Sequence, residues 1–179
     1  YTGDGSPAEY IVHSGPNIWL GLAIVQYSRK SRDAQYLALA EEIAEKIINL
    51  QESDKEAGIR GGPKVMWYST EHNLDAYAFF NMLYEVTGKE EYSQAAKKTL
   101  RWLKQHTYDR PEVPIIRGKG DSTIATDTYA WSIAAVGPEK LAELGMLPDK
   151  IMEFAESNCG VRVVYARPDG REVAVKGFD

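Results

Sequence analysis

An internal repeat constrains this 179-residue chain more than any other feature. Residues 17–51 read as two helices joined at Ser-Arg-Lys-Ser-Arg-Asp. The second arm sets Tyr36, Leu39, Ala40, Ile43, Ala44, Ile47 and Ile48 at the i, i+3, i+4, i+7 spacing of an amphipathic helix. Residues 73–106 follow the same design around Thr-Gly-Lys-Glu, where Gly88 supplies the stop. Shifted by 56 positions, the two segments align without a gap: Asn17 on Asn73, Tyr36 on Tyr92, Ala40 on Ala96. A third copy opens at TDTYAWSIAAVG. A shift of 52 there sets Asp75 on Asp127, Tyr77 on Tyr129, Ala78 on Ala130 and Phe79 on Trp131. A hairpin of this kind cannot bury its apolar face alone, so the copies must stack. The chain is therefore expected to be mainly α, an open or closed array of repeated helical hairpins.

The connections differ in composition from the arms. Residues 55–68 and 107–126 are rich in Gly, Pro and charge, so they cannot continue a helix and are expected to run across one face as loops or short strands. After Pro148 a further helix, DKIMEFAESN, leads into VRVVYARPDGREVAVKGF, which alternates around a Pro-Asp-Gly turn and reads as a small C-terminal β-hairpin. Function in repeat arrays concentrates where the connecting loops gather.

Composition removes several classes. The net charge of −5 argues against nucleic acid or an anionic membrane as the main partner. No apolar run approaches the roughly 20 residues that insertion across a bilayer needs. The single cysteine, Cys159, rules out an internal disulfide and a CxxC metal site, and without an evident base partner it reads as buried and inert. His13, His72 and His106 show no HxxxH spacing, so neither a zinc site nor any other cofactor is expected. The chain begins at Tyr1 rather than Met and stops at Gly-Phe-Asp; a processed or truncated chain is expected, and the compartment stays open.

The densest polar stretch is WYSTEHNLDAY, residues 67–77. Ser69 or Thr70 is a natural N-cap, and a first-turn Glu71 gains from the helix dipole, so capping alone could account for them. Asp75 lies a full turn further on, where the sequence becomes apolar. Its burial without a partner would be expensive, so something must hydrogen-bond it or it must face a wet cleft. His72 could orient Asp75 or serve as a satisfied cap. Asn73, repeated from Asn17, suggests a structural duty within the repeat. At the first hairpin, Ser14 can cap and Pro16 suits the first helical position.

Asp127 recurs where the second copy has Asp75 and the first has Trp19. Acids beside aromatic rings suit a sugar cleft: rings stack on the C–H faces of pyranoses and carboxylates accept from hydroxyls. Trp19, Trp67, Tyr68, Tyr77 and Trp131 all sit at hairpin starts, whereas Trp102 lies deep in a second arm and reads as core. Taken singly, each of these rings reads better as core; it is their shared placement that points to a cleft. Arg60, in Gly-Ile-Arg-Gly-Gly-Pro, offers a planar fork for a sugar carboxylate or is a solvated loop residue. Glycoside hydrolysis needs two carboxyl groups across the scissile bond. Glu71 and Asp75 stand a turn apart on one helix, an awkward pair. Glu71 and Asp127, on different hairpins, make the more plausible wide pair.

SGPNIWLGLAIVQY, GIRGGP and WYSTEHNLDAYAFFNMLYEVTGKEEYSQAA together resemble the six-hairpin glycosidase-like proteins, over most of residues 10–140. The resemblance implies an α/α toroid or part of one. It also implies carbohydrate-active chemistry, usually acid–base hydrolysis with inversion in a central groove, although some members are epimerases, lyases or non-catalytic. Six hairpins at this period need roughly 330 residues, and this chain holds about three. Residues 1–179 are thus expected to form one α/α-hairpin domain, a fragment of a larger toroid, an open array, or half of a ring that a homo-oligomer completes.

On this reading Glu71 is the general acid, Asp127 the base, Asp75 and His72 their support, and Trp67, Tyr77, Tyr129, Trp131, Trp19 and Arg60 bind carbohydrate. The alternative is a non-catalytic α-hairpin module that binds glycan or a protein partner, with Asp75 locked to backbone groups. A prenyl transferase, the third α/α option, would want a DDxxD or zinc site that the chain lacks.

Overall fold

The computed structural model describes residues 3–6, 10–108 and 113–178. The first hairpin is α1 (Ser14–Ser31) and α2 (Leu37–Glu52). A short antiparallel pair, β1 (Arg60–Gly62) and β2 (Val65–Tyr68), leads to the second hairpin, α3 (Thr70–Thr87) and α4 (Glu90–His106). The third begins with α5 (Thr126–Val136) and returns through α6 (Pro138–Glu143) and α7 (Pro148–Cys159). β3 (Gly160–Ala166) and β4 (Glu172–Phe178) close the described chain as an exposed antiparallel hairpin, with Val163 opposite Val175. The mainly helical fold with a C-terminal β-hairpin matches expectation.

The helices form two rows. α1, α3 and α5 pack side by side, while α2, α4 and α7 each pack behind the first arm of their own hairpin. α3 is the middle of the inner row and has almost no free face: Leu74, Ala76, Phe79, Phe80 and Leu83 are fully buried. Gly21 lets α1 approach it, since a Cβ there would sit 2.5 Å from the Phe79 ring. Local signals set the boundaries. α3 is capped by Ser69, whose Oγ accepts from the His72 N–H, and Gly88 ends it in the left-handed region at φ 69°. α4 carries Glu90 and Glu91 in its first turn and Lys104 and His106 in its last, both favoured by the dipole.

One expectation about local structure is corrected. Ser14 does not cap α1. The helix starts at Ser14 after an extended His13, and the Ser14 hydroxyl donates instead to the Arg60 carbonyl at 2.8 Å. The helix read after Pro148 is α7, and the third hairpin differs from the other two in that Gly137-Pro138 stops α5 after 11 residues and the short α6 intervenes.

The connections repeat as faithfully as the helices. Thr70, 56 positions after Ser14, donates from Oγ1 to the Ile116 carbonyl at 2.5 Å, as Ser14 does to Arg60. Gly62 passes so close to Val12 that a Cβ would lie 2.0 Å from its carbonyl oxygen; at Gly118 the same atom would lie 2.1 Å from that of Tyr68. Each linker therefore folds back over the start of its own hairpin. The repeated asparagine has a matching duty: Asn17 Nδ2 donates to the His13 carbonyl and Asn73 Nδ2 to the Ser69 carbonyl, each four residues back.

Candidate functional site

This folding back brings the second linker, the mouth of α3 and the mouth of α5 together around a cavity of about 520 Å³. Glu71 and His72 from α3, Asp127 from α5, Trp67 from β2, and Arg117 and Lys119 from the linker line it. Both acids occupy the first turn of their helices, where the helix dipole favours a carboxylate.

Glu71 is half-buried, and its carboxyl is raised above the ordinary glutamate range by burial first and then by the Asp127 charge. Asp127 is exposed. Asp75 stands one turn below Glu71 and is fully buried. Its Oδ1 accepts the Trp131 indole N–H at 2.7 Å, and Oδ2 has no hydrogen-bond partner. Burial pushes Asp75 up to about 7; Glu71 and Asp127 add to the rise, and the indoles of Trp131 and, from beyond hydrogen-bond reach, Trp19 oppose it.

His72 does not orient Asp75 as expected. Its Nδ1 stands 3.0 Å from Ser14 Oγ, whose single proton is directed to the Arg60 carbonyl. Nδ1 is therefore the donor in that contact, which leaves Nε2 as an acceptor. Nε2 rests over Gly15, where a Cβ would come within 2.4 Å. Burial, with a smaller contribution from His13, lowers the imidazole's affinity for a second proton.

The aromatic residues separate into groups. Trp67, half-exposed, stacks on His13 at 6.3 Å and tilts against His72 at 5.4 Å. Trp19 stacks on Trp131 at 5.6 Å over the Asp75 carboxylate, with Trp19 half-exposed. Tyr77 and Tyr129 correct the expectation of sugar-facing rings: both are core, Tyr129 completely enclosed and tilted against Phe154, because the positions following the repeated acids turn toward the outer row.

Arg60 is likewise not brought to the cavity. Its guanidinium contacts Ser53 Oγ at 3.2 Å and Met66 Sδ at 3.4 Å. The cations at the cavity are Arg117, paired with Asp121 at 2.6 Å, and Lys119, paired with Glu56 and lying over the Tyr68 ring. Hydrogen bonds from Thr123 and Arg117 hold Asp121 down at about 2. The reading of the sequence missed both cations, although Ile-Arg-Gly occurs in each linker, at 59–61 and 116–118. Among the described residues, no group of three or more His, Cys, Asp or Glu is arranged to hold a metal ion, and no helix is long and apolar enough to cross a membrane.

The same arrangement of hairpins occurs in solved structures of glycoside hydrolases. A family 76 glycoside hydrolase from a bovine Bacteroides thetaiotaomicron strain superposes with a TM-score of 0.62 at 15% identity over 91% of this chain and 38% of its own. A family 76 mannosidase from Bacteroides thetaiotaomicron VPI-5482 gives 0.61 at 13% identity, over 91% of this chain and 48% of its own. A family 76 α-mannanase from Bacteroides thetaiotaomicron gives 0.58 at 15% identity, over 86% and 47%. Those proteins are α/α toroids, and this chain has the fold of part of one, spanning less than half of their length. The resemblance to six-hairpin proteins thus holds at the level of fold. No protein-family model and no curated protein matches the chain.

Proposed function

We propose that the chain is a carbohydrate-active, glycoside hydrolase-like domain in which Glu71 is the general acid and Asp127 the base. One observation carries this reading: the two carboxyls come from different hairpins, line one cavity, and the charge of Asp127 bears on Glu71. A general acid must hold its proton at the working pH, and burial beside a second acid favours that form. Asp127, open to solvent, is suited to activate a water. Inversion requires the two carboxyls about 6.5–9.5 Å apart with that water between them. Trp67 supplies a ring against which a pyranose can stack, and the Trp19–Trp131 pair a second, while Arg117 and Lys119 offer donors to hydroxyls.

The structural neighbours named as mannosidase and mannanase make α-mannan the first substrate to try. The test is binding and hydrolysis of α-manno-oligosaccharides beside gluco-, galacto- and xylo-oligosaccharides, with the anomer of the first product read by NMR. Glu71→Gln and Asp127→Asn should each abolish cleavage while leaving binding. Full activity in either variant would sink the assignment. Because the three hairpins span less than half of the neighbours' length, a second reading stands beside the first: a module that binds glycan without cleaving it. Saturable binding with no product from any glycan would favour it.

A further inference from the structure

The neighbours of the His72 imidazole set which of its nitrogens carries the proton. Ser14 is buried, and its one hydroxyl proton goes to the Arg60 carbonyl at 2.8 Å, so its Oγ meets His72 Nδ1, 3.0 Å away, as an acceptor. Nδ1 is thus the protonated nitrogen and Nε2 the one with the lone pair. A neutral imidazole without such a partner samples both tautomers. Burial also disfavours a second proton on the ring, which keeps the lone pair free.

Nothing among the described residues uses that lone pair. Nε2 has no hydrogen bond, yet it is not sealed in, and the ring lines the cavity that holds Glu71 and Asp127. Gly15 does not block it. A Cβ there would stand 2.4, 2.7 and 2.9 Å from Nε2, Cδ2 and Cε1, three nearly equal distances. A point on the in-plane axis of the lone pair would be clearly closer to the nitrogen than to either carbon. Gly15 therefore packs on the ring face and leaves the edge open. Trp67, half-exposed and tilted against His72 at 5.4 Å, stands beside the ring.

The repeat itself does not require this arrangement. α1, α3 and α5 start at Ser14, Thr70 and Thr126, so the third residue of each is Pro16, His72 and Thr128. Thr70 repeats the Ser14 bond by donating to the Ile116 carbonyl. Thr128 makes no contact like that of His72: its Oγ1 is buried without a hydrogen-bond partner. An imidazole at this place is a feature of α3 alone.

We propose that His72 is a specificity-determining residue: its Nε2, kept as the lone-pair nitrogen by Ser14, accepts a hydrogen bond from a hydroxyl of the sugar stacked on Trp67. This role deepens the carbohydrate reading of the cavity and depends on it. Ser14 is then a positioning residue that acts through the tautomer of His72. A neutral acceptor that cannot donate selects a free hydroxyl and rejects a sugar that is deoxygenated or O-substituted at that carbon, because the lone pair is then left without a donor.

Long-range proton–nitrogen correlation NMR of a histidine-labelled chain at neutral pH tests this. The chain has three histidines, and His72→Gln identifies the signals of the one lost. Should that variant unfold, His13→Gln and His106→Gln identify the other two. In the free chain Nδ1 should be protonated and Nε2 not, and Ser14→Ala should mix the tautomers. Manno-, gluco-, galacto- and xylo-oligosaccharides are then titrated in. At saturation the Nε2 resonance should move while Nδ1 stays. His72→Phe should bind the same sugar roughly ten- to hundredfold more weakly, and His72→Gln, which keeps an acceptor oxygen, should recover part of the loss. A proton on Nε2 in the free chain overturns the proposal, as does saturable sugar binding that leaves Nε2 unmoved; both leave the carbohydrate reading standing. Failure of every sugar to bind removes the two together.

Discussion

The indole N–H of Trp131 on α5 donates to Asp75 Oδ1 on α3 at 2.7 Å, joining the second and third hairpins through a fully buried acid. The other carboxylate oxygen has no partner. One good hydrogen bond does not repay the removal of a charged carboxylate from water, so the protonated form gains instead.

A dependence of stability on pH follows. Asp75 is pushed from an ordinary 3.8 to about 7. Between those values the unfolded chain has lost the proton that the folded chain keeps, so stability falls as pH rises and levels off above about 7. At about 1.4 kcal/mol for each pH unit, the ceiling is about 4 kcal/mol. Asp75→Asn keeps an oxygen for Trp131 and has no proton to lose. Its Tm relative to wild type should climb from pH 4 to pH 7 and stay level beyond, as followed by thermal unfolding. Parallel curves for the two proteins would show that Asp75 ionises normally.

Glu71 and Asp127 should titrate as neighbours. Asp127→Asn removes a negative charge beside Glu71, so the Glu71 pKa should fall toward the ordinary range. It should stop short of that range, because burial is the larger cause of its rise. Carboxyl-detected NMR of a glutamate-labelled chain reads this without any need for activity. An unchanged Glu71 titration would mean that the two groups do not share the cavity.

Gly118 should tolerate no side chain. A Cβ there would lie 2.1 Å from the Tyr68 carbonyl oxygen, a backbone atom that cannot swing away. Gly118→Ala is expected to cost about 3 kcal/mol and to lower the denaturant midpoint. Gly3→Ala, where nothing lies within 4 Å, should leave it unmoved. Equal midpoints would mean that the linker is not pinned over the start of α3.

The repeat made the inner row legible before any coordinates. Once Asn17 and Asn73, or Asp75 and Asp127, fall in register, the helices that carry them must stack in order. It did not reveal which side of each helix faces solvent. Tyr77 and Tyr129 follow repeated acids and looked like cleft residues, yet they turn into the core, because a tyrosine at a helix start is compatible with either face. Ser14 carries the usual signal of a cap, a Ser before an apolar run. Its real partner, the Arg60 carbonyl, lies 46 residues away and depends on the linker folding back. Arg60 looked more functional than Arg117 only because the Gly-rich linker of the first hairpin is easier to notice than its copy.

The two repeated asparagines separate local from tertiary worth. Each donates to the carbonyl four residues back, so that bond cannot distinguish them. Asn17 is exposed and does nothing further that involves another element, so Asn17→Ala should cost less than about 1 kcal/mol. Asn73 is fully buried, and it also accepts from the Ile59 N–H at 3.0 Å and donates to the Ile59 carbonyl at 3.0 Å. Asn73→Ala strands both backbone groups of Ile59 without water, and each stranded group costs about 1–3 kcal/mol. Urea unfolding should therefore place Asn73→Ala at least about 2 kcal/mol below Asn17→Ala. Similar losses for the two would mean that water replaces the side chain at Ile59, and that the linker is held over α3 by the Thr70 and Gly118 contacts alone.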